Sequence, residues 1–351
     1  MNNFINIKQY GFSEMFSKEI PQDSPLEPAR VLSQEKGFYR IITDKGEKLA
    51  EVSGKFRYQA TFSSEYPAVG DFVLVNWNES GNSAIIESLL PRKSAFIRKA
   101  AGEPQQEQIV AANIDTIFLC MALNNDFNIR RLERYLSIAW DSCAMPVVVL
   151  TKSDLCDDLD YKLSEVSSIA FGLDILVTTS TEENGYRELL PFISEGKTII
   201  GSSGVGKSTL INLLLGKEQL KTNGLRNDDK GRHTTTHREL FLLPSGGMVI
   251  DTPGMRELGM WDNDTGIDRT FTEIETLASQ CKFRNCTHKN EPGCAVLKAL
   301  ETGKLEIDRW NSYQKLKAES SYIEDKESYL IAKGKREKEI SKLIKKMPIR
   351  V

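Results

Sequence analysis

The sequence predicts a multidomain chain: a small N-terminal all-β barrel, a central α/β domain with a doubly wound parallel sheet, and a mainly helical C-terminal segment built around a metal site. Short strand-like runs separated by turn signals fill residues 29–98, and fully apolar runs alternating with helical periods follow Gly102-Glu103-Pro104. Beyond about Asp264 the pattern turns helical around Cys281, Cys286, His288 and Cys294. The length of 351 residues agrees, since domains average roughly 150 residues and small ones allow three here. The expected segments are an arm over 1–28, a barrel over 29–100, the α/β domain over 101–263 and the helical domain with a basic tail over 264–351.

Composition narrows the classes. Lys+Arg number 46 against 49 Asp+Glu, a net charge of -3, with 40% hydrophobic residues. This is globular and neither fibrous nor disordered. Near-zero charge argues against a surface that coats nucleic acid everywhere, and leaves local basic patches open. The start, Met1-Asn2-Asn3-Phe4-Ile5-Asn6, lacks a basic region followed by an apolar core, and no run approaches the ~18 apolar residues of a membrane span. Six cysteines, with three of them beside His288, suit a metal site in a reducing compartment better than a disulfide framework. A soluble cytoplasmic chain with no membrane contact is expected. Cys120, Cys143 and Cys156 lie in or beside apolar segments and are expected to be ordinary buried thiols.

In the first part, Pro21, Pro25 and Pro28 punctuate a polar arm. Phe38–Ile42, Phe72–Val75 and Ala84–Ile86 read as strands, with a turn at Asp44-Lys45-Gly46. Their number and spacing suit a five-stranded barrel of the oligonucleotide-binding type, and strand count alone leaves an SH3-like barrel open. In the second part, Thr116–Cys120, Val147–Leu150, Ile175–Val177, Thr198–Ile200 and Met248–Ile250 are apolar throughout, as strands buried on both faces of a parallel sheet are, with a helix near Ile129–Trp140.

The chemistry sits at the ends of those strands. Gly201-Ser202-Ser203-Gly204-Val205-Gly206-Lys207-Ser208 has the phosphate-loop spacing between an apolar strand and a helical run that opens with Thr209. Such a loop turns backbone N–H groups onto phosphate oxygens, with Lys207 on the β/γ-phosphates and Ser208 on Mg²⁺. Downstream, Asp251-Thr252-Pro253-Gly254 ends a second apolar strand. Asp251 suits the other side of Mg²⁺ and the Gly254 amide the γ-phosphate. These two motifs fit ATP as well as GTP.

Thr151-Lys152-Ser153-Asp154, at the end of a third strand, discriminates. The Asp154 carboxylate can accept from guanine N1 and N2, where adenine offers no matching donors, and Lys152 can lay its stem across the base. Thr178-Thr179-Ser180 falls where a base-supporting loop would lie. The order is unusual: base-reading motifs precede the phosphate loop, whereas ordinary GTPases run the other way, so the domain reads as circularly permuted. A sheet keeps its packing when old termini are joined and a surface connection is cut. The segment after Gly254 then leads directly into the C-terminal part, as a lever sensitive to the γ-phosphate.

Gly231-Arg232-His233-Thr234-Thr235-Thr236-His237 reads as a switch segment. Thr235 or Thr236 would complete the Mg²⁺ shell, with Thr235 the choice here, and His233 is a candidate to place the attacking water. Met255 stands where many GTPases have a water-positioning Gln, which predicts slow intrinsic turnover. Cys281, Cys286, His288 and Cys294 form a Cys₃His set suited to one tetrahedral Zn²⁺ with no open position, hence structural. The last residues, Ile331–Val351, carry eight Lys/Arg against two Glu, either a solvated helix face or a phosphate contact.

Together these motifs resemble the ribosome-small-subunit-dependent GTPase family (RsgA, also called YjeQ or YloQ) from about Ala29 to the end. The resemblance implies an OB-fold, a permuted G domain and a zinc-containing C-terminal domain. It further implies GTP hydrolysis to GDP stimulated by the 30S subunit, a role in late small-subunit assembly through 16S rRNA binding, and a catalytic role for His233. A monomer is expected. Two departures stand out. Thr151 replaces the commonest Asn and loses an amide that would reach guanine N7, and Gly204 replaces the Asn of potassium-dependent GTPases. A zinc-bearing RNA-binding module that binds GTP without useful turnover is the alternative, and an ATPase or kinase reading conflicts with Asp154.

Overall fold

A computed structural model describes residues 6–35, 37–77, 83–99, 107–179, 181–182, 185–201, 212, 214, 238–251 and 264–321. The chain divides into two compact units, Met1–Gly259 and Met260–Val351.

The first unit opens with a folded arm. A 3₁₀ turn over Ile7–Tyr10 is capped by Asn6, whose side chain accepts the Lys8 N–H, and Ile7 N–H donates to Asp44 Oδ1 at 2.8 Å. Helix α1 (Glu14–Lys18) buries Phe16 against Phe72, ring centroids 4.3 Å apart. Phe12, Ile20 and Leu26 complete that small cluster with Leu74 and Leu90. Apolar side chains spaced through the polar arm thus hold it on the barrel.

The barrel consists of β1 (Glu27–Glu35), β2 (Phe38–Thr43), β3 (Gly46–Val52), β4 (Phe72–Trp77) and β5 (Ser83–Leu89), with α2 (Gly54–Gln59) between the third and fourth strands. The strands follow the order β1-β2-β3-β5-β4 and close through β1–β4. Only β3 and β5 pair in parallel. This five-stranded closure is OB-like and resolves the choice left open by strand count. Gly46, at φ +99°, closes the predicted Asp44-Lys45 turn in a conformation that disfavours other residues. A separate hairpin of β6 (Ala95–Lys99) and β7 (Glu107–Ala112) follows.

The α/β part contains β8 (Thr116–Ala122), β9 (Met145–Thr151), β10 (Ile175–Val177), β11 (Thr198–Gly201), β12 (Glu239–Leu242) and β13 (Met248–Asp251), ordered β10-β9-β8-β11-β13-β12. All neighbours are parallel except β12, which runs against β13. Alternate residues of β8 serve opposite faces. Ile117, Leu119 and Met121 join the core beneath α3 (Ile129–Asp141) and α4 (Leu159–Ile169), while Phe118, Cys120 and Ala122 join a second core with Leu189, Ile193 and Leu214. Cover on both faces explains why the strands are apolar throughout. Cys143 departs from expectation. It is exposed, because it sits at φ 63° in the turn between α3 and β9 rather than at a core-facing position of either element; Cys120 is buried and Cys156 half-buried.

The barrel and the α/β sheet are continuous, because β1 pairs with β12 at Ser33 and Glu239. Arg40 bridges Glu47 on β3 and Glu239 on β12, the latter at 2.9 Å. Beneath this joint Arg30 is 1% exposed. Its guanidinium donates to Gly70 O (3.1 Å), Tyr10 O (2.5 Å), Asn113 O (3.2 Å), Thr198 Oγ1 (2.9 Å) and Met248 Sδ (3.1 Å), and lies 4.8 Å from the Phe72 ring centroid. Burial pulls its pKa down to about 10, against the opposing pull of Asp115 and Asp71, so it stays charged at neutral pH.

The second unit consists of α5 (Asp264–Thr270), α6 (Thr272–Ser279), α7 (Ala295–Glu301) and a helix over 307–321. Ile267, Phe271, Ile274, Val296, Ala299, Leu305, Trp310 and Leu316 form its core. Arg309 ties the last helix to the first two by donating to Glu273 Oε1 at 2.8 Å and Thr270 O at 2.7 Å. Among the described residues, no helix is long and apolar enough to cross a membrane.

Candidate functional site

The strand register brings the predicted motifs to one edge of the parallel sheet. Ile200 of β11 is level with Ile250 of β13, so Gly201 and Asp251 end adjacent strands side by side. On the other flank of β11, Gly201 is level with Phe118 of β8. The strands after β8 extend the sheet to one side and β13 extends it to the other, so the gap between β8 and β11 is a topological switch point, where ligands of open α/β sheets bind. Gly201 ends β11 at the start of the phosphate-loop motif, and Asn212 and Leu214 beyond it are helical. Asp251 is fully buried.

The two segments predicted to read the base meet at the far side of the same edge. Thr178 N–H donates to Leu150 O at 2.8 Å and Ser153 N–H to Thr178 O at 3.3 Å, which stitches the end of β10 to the turn after β9. Lys152 turns that chain at φ 59°, one of the few left-handed non-glycine residues described. Asp154 is exposed, and its Oδ1 accepts from Thr179 Oγ1 at 2.6 Å, a short bond of the kind a charged acceptor makes. An exposed carboxylate pinned at one oxygen is suited to receive two donors from a planar base. Thr179 itself is 8% exposed, and its hydroxyl also meets Thr181 Oγ1 at 2.8 Å. Lys162 Nζ donates to Leu123 O at 2.9 Å, and Leu123 N–H to Thr151 O at 2.9 Å, which fixes the start of the turn over Lys152–Asp154.

In the second unit Cys281, Cys286, His288 and Cys294 converge, with all four ligand atoms within 4.8 Å of one another. Ligands at about 2.3 Å (sulfur) and about 2.0 Å (nitrogen) around a tetrahedral centre lie about 3.8 Å apart for two sulfurs and about 3.5 Å apart for sulfur and nitrogen. The observed separations are 3.8 Å for Cys281–Cys294, and 3.5 and 3.4 Å from His288 Nδ1 to Cys281 and Cys294. The donor set therefore fits a tetrahedral ion. Burial pushes Cys281 upward, but the N–H groups of Ala295 and Val296 outweigh it and hold the thiol below its usual range. Cys286 is pushed up to about 11 by burial and by the sulfurs of Cys294 and Cys281, a crowding that a cation would relieve. His288 sits at φ 56° in a loop organised by Glu291. That carboxylate accepts from Thr287 Oγ1 (2.5 Å) and from the N–H groups of Thr287 (2.8 Å), Lys289 (3.0 Å) and Asn290 (3.1 Å).

Ser180, Ser202, Ser203, Gly204, Val205, Gly206, Lys207, Ser208, Thr209, His233, Thr235, Thr236, Gly254, Met255 and the basic tail over 331–351 lie outside the described residues. Glu291, which organises the His288 loop, and Thr181, which meets Thr179, were not singled out by the sequence. Glu291 has no motif, and the one local hint for Thr181 is that it is a second threonine two positions after Thr179.

Residues 89–261 match the model of a family described as RsgA GTPase. Over 321 residues the chain is 49% identical to the small ribosomal subunit biogenesis GTPase RsgA 2 of Lactiplantibacillus plantarum, covering 91% of this chain and 90% of that one. It is 46% identical over 340 residues to the corresponding RsgA 1 of Oceanobacillus iheyensis, covering 95% and 97%. Among solved structures it is similar to YjeQ of Thermotoga maritima, with TM-score 0.62 and 28% identity over 84% of this chain and 98% of that one. The structure of YloQ, a circularly permuted GTPase, matches at TM-score 0.60 and 22% identity over 88% and 98%, a likeness of fold alone.

Proposed function

Because the chain belongs to the RsgA GTPase family, we propose that it hydrolyses GTP to GDP and phosphate in the late assembly of the small ribosomal subunit, with turnover stimulated by the 30S particle. The observation that carries this reading is the meeting of Asp154 with Thr179 on the same sheet edge that presents Gly201 and Asp251. Base reading and phosphate binding thereby share one edge in permuted order.

In this reading Thr151, Lys152, Ser153 and Asp154 hold guanine with Thr178, Thr179 and Ser180 behind them. Gly201 through Thr209 cradle the phosphates, with Lys207 on the β/γ-phosphates. Ser208, Thr235 and Asp251 would hold Mg²⁺, which when bound offsets charge developing on the phosphate oxygens. His233 places the attacking water, and the Gly254 amide senses the γ-phosphate. Catalysis then consists mainly of positioning and charge stabilisation. The Cys281/Cys286/His288/Cys294 set holds one structural Zn²⁺, because its donors and separations suit tetrahedral thiolate and imidazole ligation and leave no position for substrate. The barrel and the 331–351 tail contact 16S rRNA, and the protein acts as a cytoplasmic monomer.

The test is phosphate release from GTP by the purified protein, alone and with 30S subunits, with ATP as control. Strong stimulation specific to GTP is expected. Tight GTP binding with no stimulation would replace this reading with that of a GTP-binding RNA module.

A further inference from the structure

Thr179 is the centre of a small hydrogen-bond web behind Asp154. Its hydroxyl has one proton, which goes to Asp154 Oδ1 at 2.6 Å, and an ionised carboxylate can only accept. The contact between Thr179 Oγ1 and Thr181 Oγ1 at 2.8 Å therefore has Thr181 as donor. Thr181 N–H donates to the same oxygen at 3.2 Å. Thr179 Oγ1 thus donates once and accepts twice, the full capacity of a hydroxyl.

The main chain is held just as closely. Thr179 N–H donates to Gly185 O at 3.1 Å. A Cβ at position 185 would lie 2.3 Å from Thr179 O and 2.7 Å from Thr179 Cγ2, so any larger residue must displace Thr179. The requirement for glycine here is one of close approach, since Gly185 has no left-handed φ.

We infer that Thr181 and Gly185 are positioning residues that set guanine selectivity. Neither needs to touch the base. Together they fix the Thr179 hydroxyl, and that hydroxyl fixes the carboxylate plane of Asp154 against the N1 and N2 hydrogens of guanine. The inference rests on the proposed reading of guanine by Asp154, which the experiment checks separately.

The experiment is equilibrium competition binding of GDP, IDP and XDP to the full chain and to Thr181→Val, Thr181→Ser, Gly185→Ala and Asp154→Asn. IDP lacks the 2-amino group, so the GDP-to-IDP affinity ratio reports one hydrogen bond to Asp154. Thr181→Val keeps the volume and removes the donor, and is expected to narrow that ratio by about 3- to 10-fold, the effect of loosening one hydrogen bond. Thr181→Ser should restore the parent ratio, and Gly185→Ala should narrow it at least as much as Thr181→Val. Equal weakening of GDP and IDP with an unchanged ratio in Thr181→Val would overturn the inference, and that variant alone decides if Gly185→Ala does not fold. An unchanged GDP-to-XDP preference in Asp154→Asn would instead remove the base-reading assignment itself.

Discussion

Replacing Arg30 with methionine tests how the barrel is fastened to the nucleotide-binding sheet. The guanidinium supplies five donors to acceptors from the arm, the barrel, the strand that opens toward the phosphate loop, and β13. Methionine fills much of the same space and donates nothing. Gly70 O keeps a bond from Asn113 Nδ2 at 3.2 Å, so the carbonyls of Tyr10 and Asn113 and the Thr198 hydroxyl bear most of the loss. A buried acceptor stripped of its donor costs about 1–3 kcal/mol, so two to three of them cost about 2–9 kcal/mol. The removed charge returns part of this, because burial already disfavours the charged form of Arg30, and about 3 kcal/mol remains as an order of magnitude. In a unit of this size each kcal/mol lowers Tm by about 2–4 °C, so a fall of about 6–12 °C is expected. Thermal unfolding followed by tryptophan fluorescence and by calorimetry provides the measurement. Arg30→Lys should fall between parent and Arg30→Met, since an ammonium offers three donors without the planar fork. A shift under about 2 °C for Arg30→Met would refute the reasoning, because stripped acceptors at a buried joint cannot be that cheap.

Three further outcomes are expected. Asp154→Asn should weaken GDP by about 100-fold and favour XDP, whose C2 carbonyl accepts from the new amide; competition binding decides, and unchanged GDP affinity counts against Asp154 as the base reader. Removing metal with a chelator should melt the helices of the second unit, because Cys294 begins α7 and the Cys281 and Cys286 side chains pack on its core. Circular dichroism against stoichiometric zinc release measures this, and full retention of helicity in the metal-free protein would show that the ion is dispensable. Glu291→Gln halves the acceptor capacity that gathers Thr287, Lys289 and Asn290 around His288. Zinc loss to a chromophoric chelator should speed up by about 10-fold, as for other changes behind metal ligands, and an unchanged rate would mean that the loop holds its shape without Glu291.

What could be read from the chain before its structure follows from the range of each interaction. Phosphate-loop spacing, apolar strands and the Cys₃His set are local patterns, and the described residues bear out the strands and bring the four metal ligands together. Arg30 was invisible because its acceptors come from residues 10, 70, 113, 198 and 248, and composition places arginine outside. The docked arm was hidden in the same way, with Phe12 and Phe16 meeting Phe72 across a long stretch of chain. Motif order, by contrast, is visible at any range, and strand order explains why the permuted chain keeps its sheet. In the order β10-β9-β8-β11-β13-β12, β8 and β13 flank β11. A cut between those two flanking strands leaves every parallel pairing intact. The old ends are joined through the segment between β10 and β11, which contains Thr179, Thr181 and Gly185. Within it Thr179 is bound to Asp154, Thr181 and Gly185, so the joined ends run directly past the carboxylate proposed to read the base.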